Sequence, residues 1–161
     1  MILKLLIIIA AIIIATAIIK DYKIKSKRVL IPFKESMDLV HLPIVTFINN
    51  DVRLHFILDT GADDSYISEE ILPSLIIKDQ KSLCSHSVTG MSSEASADSL
   101  VTLDLSYKNE VFETPALVMK FYNMFEQGHV KGIKIHGVLG SIFFEKHKYH
   151  IDFENYEAYP K

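Results

Sequence analysis

The chain has 161 residues, with 17 basic and 20 acidic side chains and enough hydrophobic residues (49%) for one core, which points to a single compact domain. Residues 1–28 hold six of the basic and one of the acidic residues, so the remainder carries 11 against 19, a formal charge of −8. An acidic body without clustered Lys and Arg excludes a groove tracking nucleic-acid phosphates, and a single cysteine, Cys84, excludes a disulfide within the chain.

Residues 1–19 carry no charged side chain except Lys4, and Leu5 to Ile19 is an unbroken run of Leu, Ile, Ala and one Thr. At about 1.5 Å per helical residue this length crosses most of a bilayer, which predicts a transmembrane anchor. A cleaved signal segment is the rival, with Lys4 as its charged start and Ala15-Thr16-Ala17 as a small-x-small cleavage site; the apolar run continuing through Ile18-Ile19 favours the anchor. Next come Lys20, Lys23, Lys25, Lys27 and Arg28 against one Asp21. The positive-inside rule leaves the C-terminal side cytoplasmic, whereas a signal-type segment would export it. These cations suit anionic lipid headgroups, or serve only as a topology signal. Residues 20–37 read as a basic juxtamembrane linker, where Pro32 opposes continuous helix, and residues 38–161 as the folded domain.

Leu42, Ile44, Thr46 and Ile48, then Val52, Leu54, Phe56 and Leu58, alternate with a period of two around Asn49-Asn50-Asp51, the signature of a β-hairpin. A second hairpin is expected from Leu100–Ser106 and Val111–Thr114 through Lys108-Asn109, and a third from Tyr149–Phe153 and Tyr156–Tyr159 around Glu154-Asn155. Short helical spans fit Ser68–Leu72 and Ser141–Lys146. About ten short strands make the domain all-β, of barrel or sandwich type rather than a parallel α/β sheet.

Within this frame the segment ILDTGADDS, residues 57–65, runs an apolar strand directly into Asp59-Thr60-Gly61. It places a carboxylate at the mouth of a β-structure. Gly61 lets the backbone turn and approach that carboxylate, and Thr60 offers a hydroxyl to neighbouring backbone. By itself the triplet also fits a strand-ending turn in which Asp59 accepts backbone hydrogen bonds. Its context is more specific: Phe56-Ile57-Leu58 precede it, Ala62-Asp63 follow, and it is matched far downstream by GVLGSIFF at 137–144.

On these residues the chain, over roughly 40–160, resembles the retropepsin-like aspartic peptidases, the family of the retroviral proteases and their bacterial relatives. The resemblance implies a closed acid-protease β-barrel with one or two short helices. It implies that Val138-Leu139-Gly140 passes beside the catalytic loop and leads into a short helix, and that a flap around Gly90 and Met91, within His86–Ser96, covers the substrate; an ordinary surface loop is the alternative for that segment. Because the triplet occurs once, the second carboxylate comes from a second copy in a homodimer. The two Asp59 carboxylates then share a proton and activate water against a peptide bond, without metal or cofactor. Thr60 holds the two active-site loops together and Gly61 donates backbone hydrogen bonds. Ala62, Asp63 and Asp64, with the flap and Val138-Leu139-Gly140, are expected to line a groove for an extended polypeptide; Asp63 and Asp64 also fit solvated turn positions.

Ala62 lacks the hydroxyl that pepsin-like enzymes often place there to favour the ionised carboxylate, which predicts a mildly acidic to near-neutral optimum. The main alternative is a catalytically inactive dimeric peptide-binding module of the same fold at a membrane. A calcium loop through Asp59, Asp63 and Glu70 fails at Gly61 and Asp64. His136, His147 and His150 lack the spacing and acidic neighbour of a catalytic zinc site. Phe121 to Phe125 read as core or dimer packing, or as lining next to the active site. Cys84, even with His86 nearby, lacks the local signature of a nucleophile.

Overall fold

The computed structural model describes residues 29–87, 96–120, 129–130 and 132–161, together with Ile13 and Ile14. Its strands are β1 (Ile31–Pro32), β2 (Ile44–Asn49), β3 (Val52–Leu58), β4 (Tyr66–Ser68), β5 (Ile77–Ser87), β6 (Ser96–Tyr107), β7 (Glu110–Met119), β8 (His129–Val130), β9 (Ile133–Lys134), β10 (Gly137–Leu139), β11 (Tyr149–Asp152) and β12 (Glu157–Pro160). The main sheet runs β2-β3-β10-β4-β7-β6-β5, and an additional pairing of β2 with β6, Ile48 opposite Ser106, closes six of these strands into a barrel. The all-β barrel expected from the sequence is thus present, and among the described residues from 29 onward it is accompanied by two short α-helices (Lys34–Val40 and Ser141–His147) and a 3₁₀ turn (Glu69–Ser74).

All three expected hairpins form. β2 and β3 pair from Ile44↔Ile57 to Asn49↔Val52, and Asn50 and Asp51 both take positive φ, the conformation a tight two-residue hairpin turn demands. β6 and β7 pair through Lys108, also at positive φ. β11 and β12 pair through a turn capped by Asp152, whose Oδ1 accepts from the Glu154 and Asn155 amides. Alternate residues of β2, β3, β6 and β7 point inward, so Phe47, Leu54, Phe56, Leu103, Leu105 and Phe112 fill the barrel. Phe47 meets the rings of Phe56, Phe112 and Phe143 edge-on at 5.8–6.1 Å. Asn49 is the polar clamp of this core. Its side-chain amide donates to the Ile76 and Asp104 carbonyls, and its oxygen accepts from the Ile76 amide.

Regular structure is already present before Asp38, in β1 and the helix Lys34–Val40, which corrects the expectation of a linker through residue 37. Ile31 pairs with Ala158, and Ile31 and Phe33 are fully buried. Helix 34–40 turns Val40 inward and Met37 against the core. Ser36 fixes it to the barrel by donating to the Phe33 carbonyl and accepting from the Ile44 amide. Pro32 is compatible because it occupies an edge strand before the helix. The third hairpin does not join the barrel but forms a separate three-stranded sheet, β1-β12-β11. Among the described residues no helix is long and apolar enough to cross a membrane; the expected anchor, residues 1–19, lies outside them apart from Ile13 and Ile14.

Candidate active site

Asp59 leaves the end of β3, and the chain returns as β4 only seven residues later. These strands do not pair with each other. β10 is inserted between them, parallel to β3 (Gly137↔Phe56 to Leu139↔Leu58) and antiparallel to β4 (Gly137↔Ile67, Val138↔Tyr66). The loop 59–65 must therefore pass around the end of β10, where Val138-Leu139-Gly140 lies. The fold sets the two motifs side by side although 75 residues separate Ser65 from Gly140.

The joint is tied from several directions. The Asp59 amide donates to the Leu139 carbonyl at 3.0 Å; the Ser141 amide donates to the Ala62 carbonyl at 2.7 Å and the Ile142 amide to the Asp63 carbonyl at 3.1 Å. Ser141 Oγ also donates to the Asp63 carbonyl. From the loop side, buried Ser65 accepts the Gly140 amide on its hydroxyl at 3.1 Å and the Leu117 amide on its carbonyl. Gly140 is required for this closeness. A Cβ there would lie 2.7 Å from the Ala62 oxygen and 2.6 Å from the Asp64 carbonyl carbon, both backbone atoms. Ser65 is a contributor that the sequence reading did not single out; its signal was the hydroxyl residue that closes ILDTGADDS.

Asp59, Thr60 and Gly61 are exposed at the tip of this braced loop, whereas Val138, Leu139 and Gly140 beneath it are buried. Asp59 Oδ1 accepts the Gly61 amide at 2.9 Å, which fixes the carboxylate against its own backbone. Gly61 has an ordinary φ. The residue matters through proximity, since a Cβ would sit 3.1 Å from Asp59 Oδ1. Ala62 and Asp64 are half-buried and Asp63 is exposed. Behind the loop, burial raises the Tyr66 phenol above its usual value of 10.0, and the charges of Asp64 and then Asp63 add to the effect.

The structure thus brings together Asp59, Thr60, Gly61, Ala62, Asp63, Asp64, Val138, Leu139 and Gly140. The flap positions Gly90 and Met91 lie outside the described residues, as do Phe121–Phe125. On either side of the segment expected to form a flap, β5 and β6 pair as far as His86↔Ala97 and Ser87↔Ser96. The histidines weighed for zinc are dispersed. His136 Nδ1 accepts the His55 amide, the His147 ring packs on Phe112 and Phe143, and His150 stacks with Tyr159. Among the described residues no group of three His, Cys, Asp or Glu is arranged to hold a metal.

A family model described as aspartyl protease matches residues 45–143. None of the curated proteins matches the chain. Among solved structures it is similar to the EIAV protease in complex with the inhibitor HBY-793, at 19% identity over 68% of this chain and 90% of that one, with a TM-score of 0.49. It is also similar to the retroviral protease-like domain of Ddi1 from Leishmania major, at 11% identity over 70% and 82%, TM-score 0.48. A retropepsin-like aspartic protease from Rickettsia conorii is similar at 17% identity over 82% and 89%, TM-score 0.49.

Proposed function

The chain belongs to the aspartyl protease family, and from that premise we propose that it is a retropepsin-like aspartic endopeptidase whose active site forms between two copies, each contributing Asp59. The observation that carries this reading is an exposed carboxylate on a loop braced from below, in a chain with one Asp-Thr-Gly. A rigid mount with its functional face open to solvent suits a site completed by an isologous partner.

In the dimer the two carboxylates share one proton, because both cannot ionise side by side. The ionised one takes a proton from water as its oxygen attacks the peptide carbonyl carbon, while the protonated one hydrogen-bonds the carbonyl oxygen. Collapse of the tetrahedral intermediate then passes a proton to the leaving nitrogen and breaks the C–N bond. Thr60 links the two loops, and Gly61 donates its amide to the Asp59 carboxylate. Ala62, Asp63 and Asp64 flank an extended polypeptide bound as an added strand. Residues 1–19 serve as a membrane anchor, which raises the effective concentration of the two copies by confining them to a plane.

Wild type and Asp59→Asn, presented with an unstructured protein across a range of pH, test the reading. Asparagine retains an oxygen for the Gly61 amide, so the variant should fold and dimerise but not cleave. Undiminished cleavage by folded Asp59→Asn would remove Asp59 from the chemistry.

A further inference from the structure

The small sheet β1-β12-β11 has one face in the core, where Ile31 and Ala158 are buried. On its other face alternation turns His150 and Tyr159 outward; they are paired across the strands, with rings 5.5 Å apart. Leu30, one residue before Ile31, extends the same row. Leu30 and Tyr159 are 42% and 38% exposed. At this end of the sheet the Lys161 amide donates to the Lys148 carbonyl, which brings together two exposed lysines. The opposite, turn end of the hairpin carries Asp152, Glu154 and Glu157. The sheet therefore has a basic end bearing Leu30 and Tyr159, and an acidic end whose turn also exposes Phe153.

The chain enters at the basic end. The Tyr149 hydroxyl donates to the Val29 carbonyl at 2.7 Å, so the residue after Arg28 is fixed there. Nine residues, 20–28, separate Val29 from the apolar run ending at Ile19, and five of them are basic. Even fully extended they span at most roughly 35 Å.

We propose that this end of the small sheet docks on an anionic membrane surface, with Leu30 and Tyr159 entering the headgroup region and Lys148 and Lys161 facing lipid phosphates. The inference rests on the anchor proposed above and is independent of the catalytic reading. Tyrosine is favoured at the membrane interface because its ring prefers the apolar side and its hydroxyl the wet side. Basic residues near an anionic leaflet are attracted within a Debye length, and the short tether keeps this end within reach of the surface. The acidic end is repelled, so the two ends together set one orientation. The consequence is a peptidase domain held at a fixed attitude to the bilayer instead of swinging on a linker.

The chain contains no tryptophan, so Tyr159→Trp introduces a single reporter. The full chain carrying it is placed in phosphatidylglycerol-containing bilayers with acyl-chain-brominated lipid. Gln80→Trp is the control, since Gln80 is exposed on β5, an edge strand of the main sheet. Several-fold stronger quenching for Tyr159→Trp than for Gln80→Trp, reduced by Lys148→Glu with Lys161→Glu, is the expected result. Retention of Tyr159→Trp in the bilayer after alkaline carbonate with no quenching of its indole would overturn the docking alone. Blue-shifted but unquenched emission from the same variant would overturn it too, because protein and not lipid would then cover the face. Release of the full chain by carbonate would overturn the anchor and the docking with it.

Discussion

Gly140→Ala adds one methyl group at the joint between β10 and the Asp59 loop. The new Cβ would lie 2.6 Å from the Asp64 carbonyl carbon and 2.7 Å from the Ala62 oxygen, with no flexible side chain to give way. Ordinary contact needs the loop backbone to retreat by about 1 Å. That retreat strains or breaks the bonds from the amides of Gly140, Ser141 and Ile142 to Ser65, Ala62 and Asp63, each worth about 1 kcal/mol net. The expected destabilisation is about 3 kcal/mol, within the range for overpacked interiors, and it lowers the urea midpoint by roughly 2 M for a domain of this size. Since the loop carries Asp59, a displacement of about 1 Å should also lower kcat/KM of the remaining folded protein by about 100-fold. Urea unfolding followed by tyrosine fluorescence, with peptide cleavage measured on folded protein, reads both effects. A variant with unchanged midpoint and unchanged cleavage would refute the claim that this glycine sets the close approach beneath the Asp59 loop.

Asn49→Ala removes three hydrogen bonds to the Ile76 and Asp104 backbone and should cost about 2–4 kcal/mol in urea unfolding. Burial, and then the charge of Arg53, hold the His55 imidazole below its usual 6.5. The unfolded chain therefore takes up the proton first; stability is complete above pH 6.5 and declines as pH falls toward the depressed folded value. Urea midpoints at about pH 7.5 and 5.5 should show that decline in wild type and a smaller one in His55→Gln. Ala62→Ser supplies a hydroxyl that favours the ionised carboxylate, so the acid limb of the rate profile should move to lower pH. An unmoved limb, or a wild-type enzyme that peaks only in strong acid, would contradict the role given to Ala62.

What the sequence revealed followed from short-range chemistry. Asn50-Asp51 and Lys108-Asn109 can adopt the backbone their turns need, so the hairpins were legible from turn residues and alternation. The two motifs of the candidate site stood out because an apolar strand ending in Asp-Thr-Gly and a Val-Leu-Gly element are specific patterns. The insertion of β10 between β3 and β4 was not visible from local propensity, because it depends on parallel pairing of strands far apart in the chain, Val138 with Ile57. The start of the fold was misplaced for a different reason. Lys34, Glu35 and Asp38 give the 34–40 segment a linker-like composition, while its burial rests on Val40, Met37 and the two bonds of Ser36. β5 escaped notice because Ile77–Ser87 is mostly polar and has one exposed edge, with only β6 as a neighbour.

The central claim is that one working site needs an Asp59 from each of two copies, and subunit mixing tests it most directly. Wild type and Asp59→Asn are unfolded together, refolded at equal amounts and fixed total concentration, and assayed for peptide cleavage. If both carboxylates are required and the copies mix at random, activity falls to about a quarter of the wild-type value. Activity at about half would mean that each copy works alone, and the shared-dyad account would be wrong.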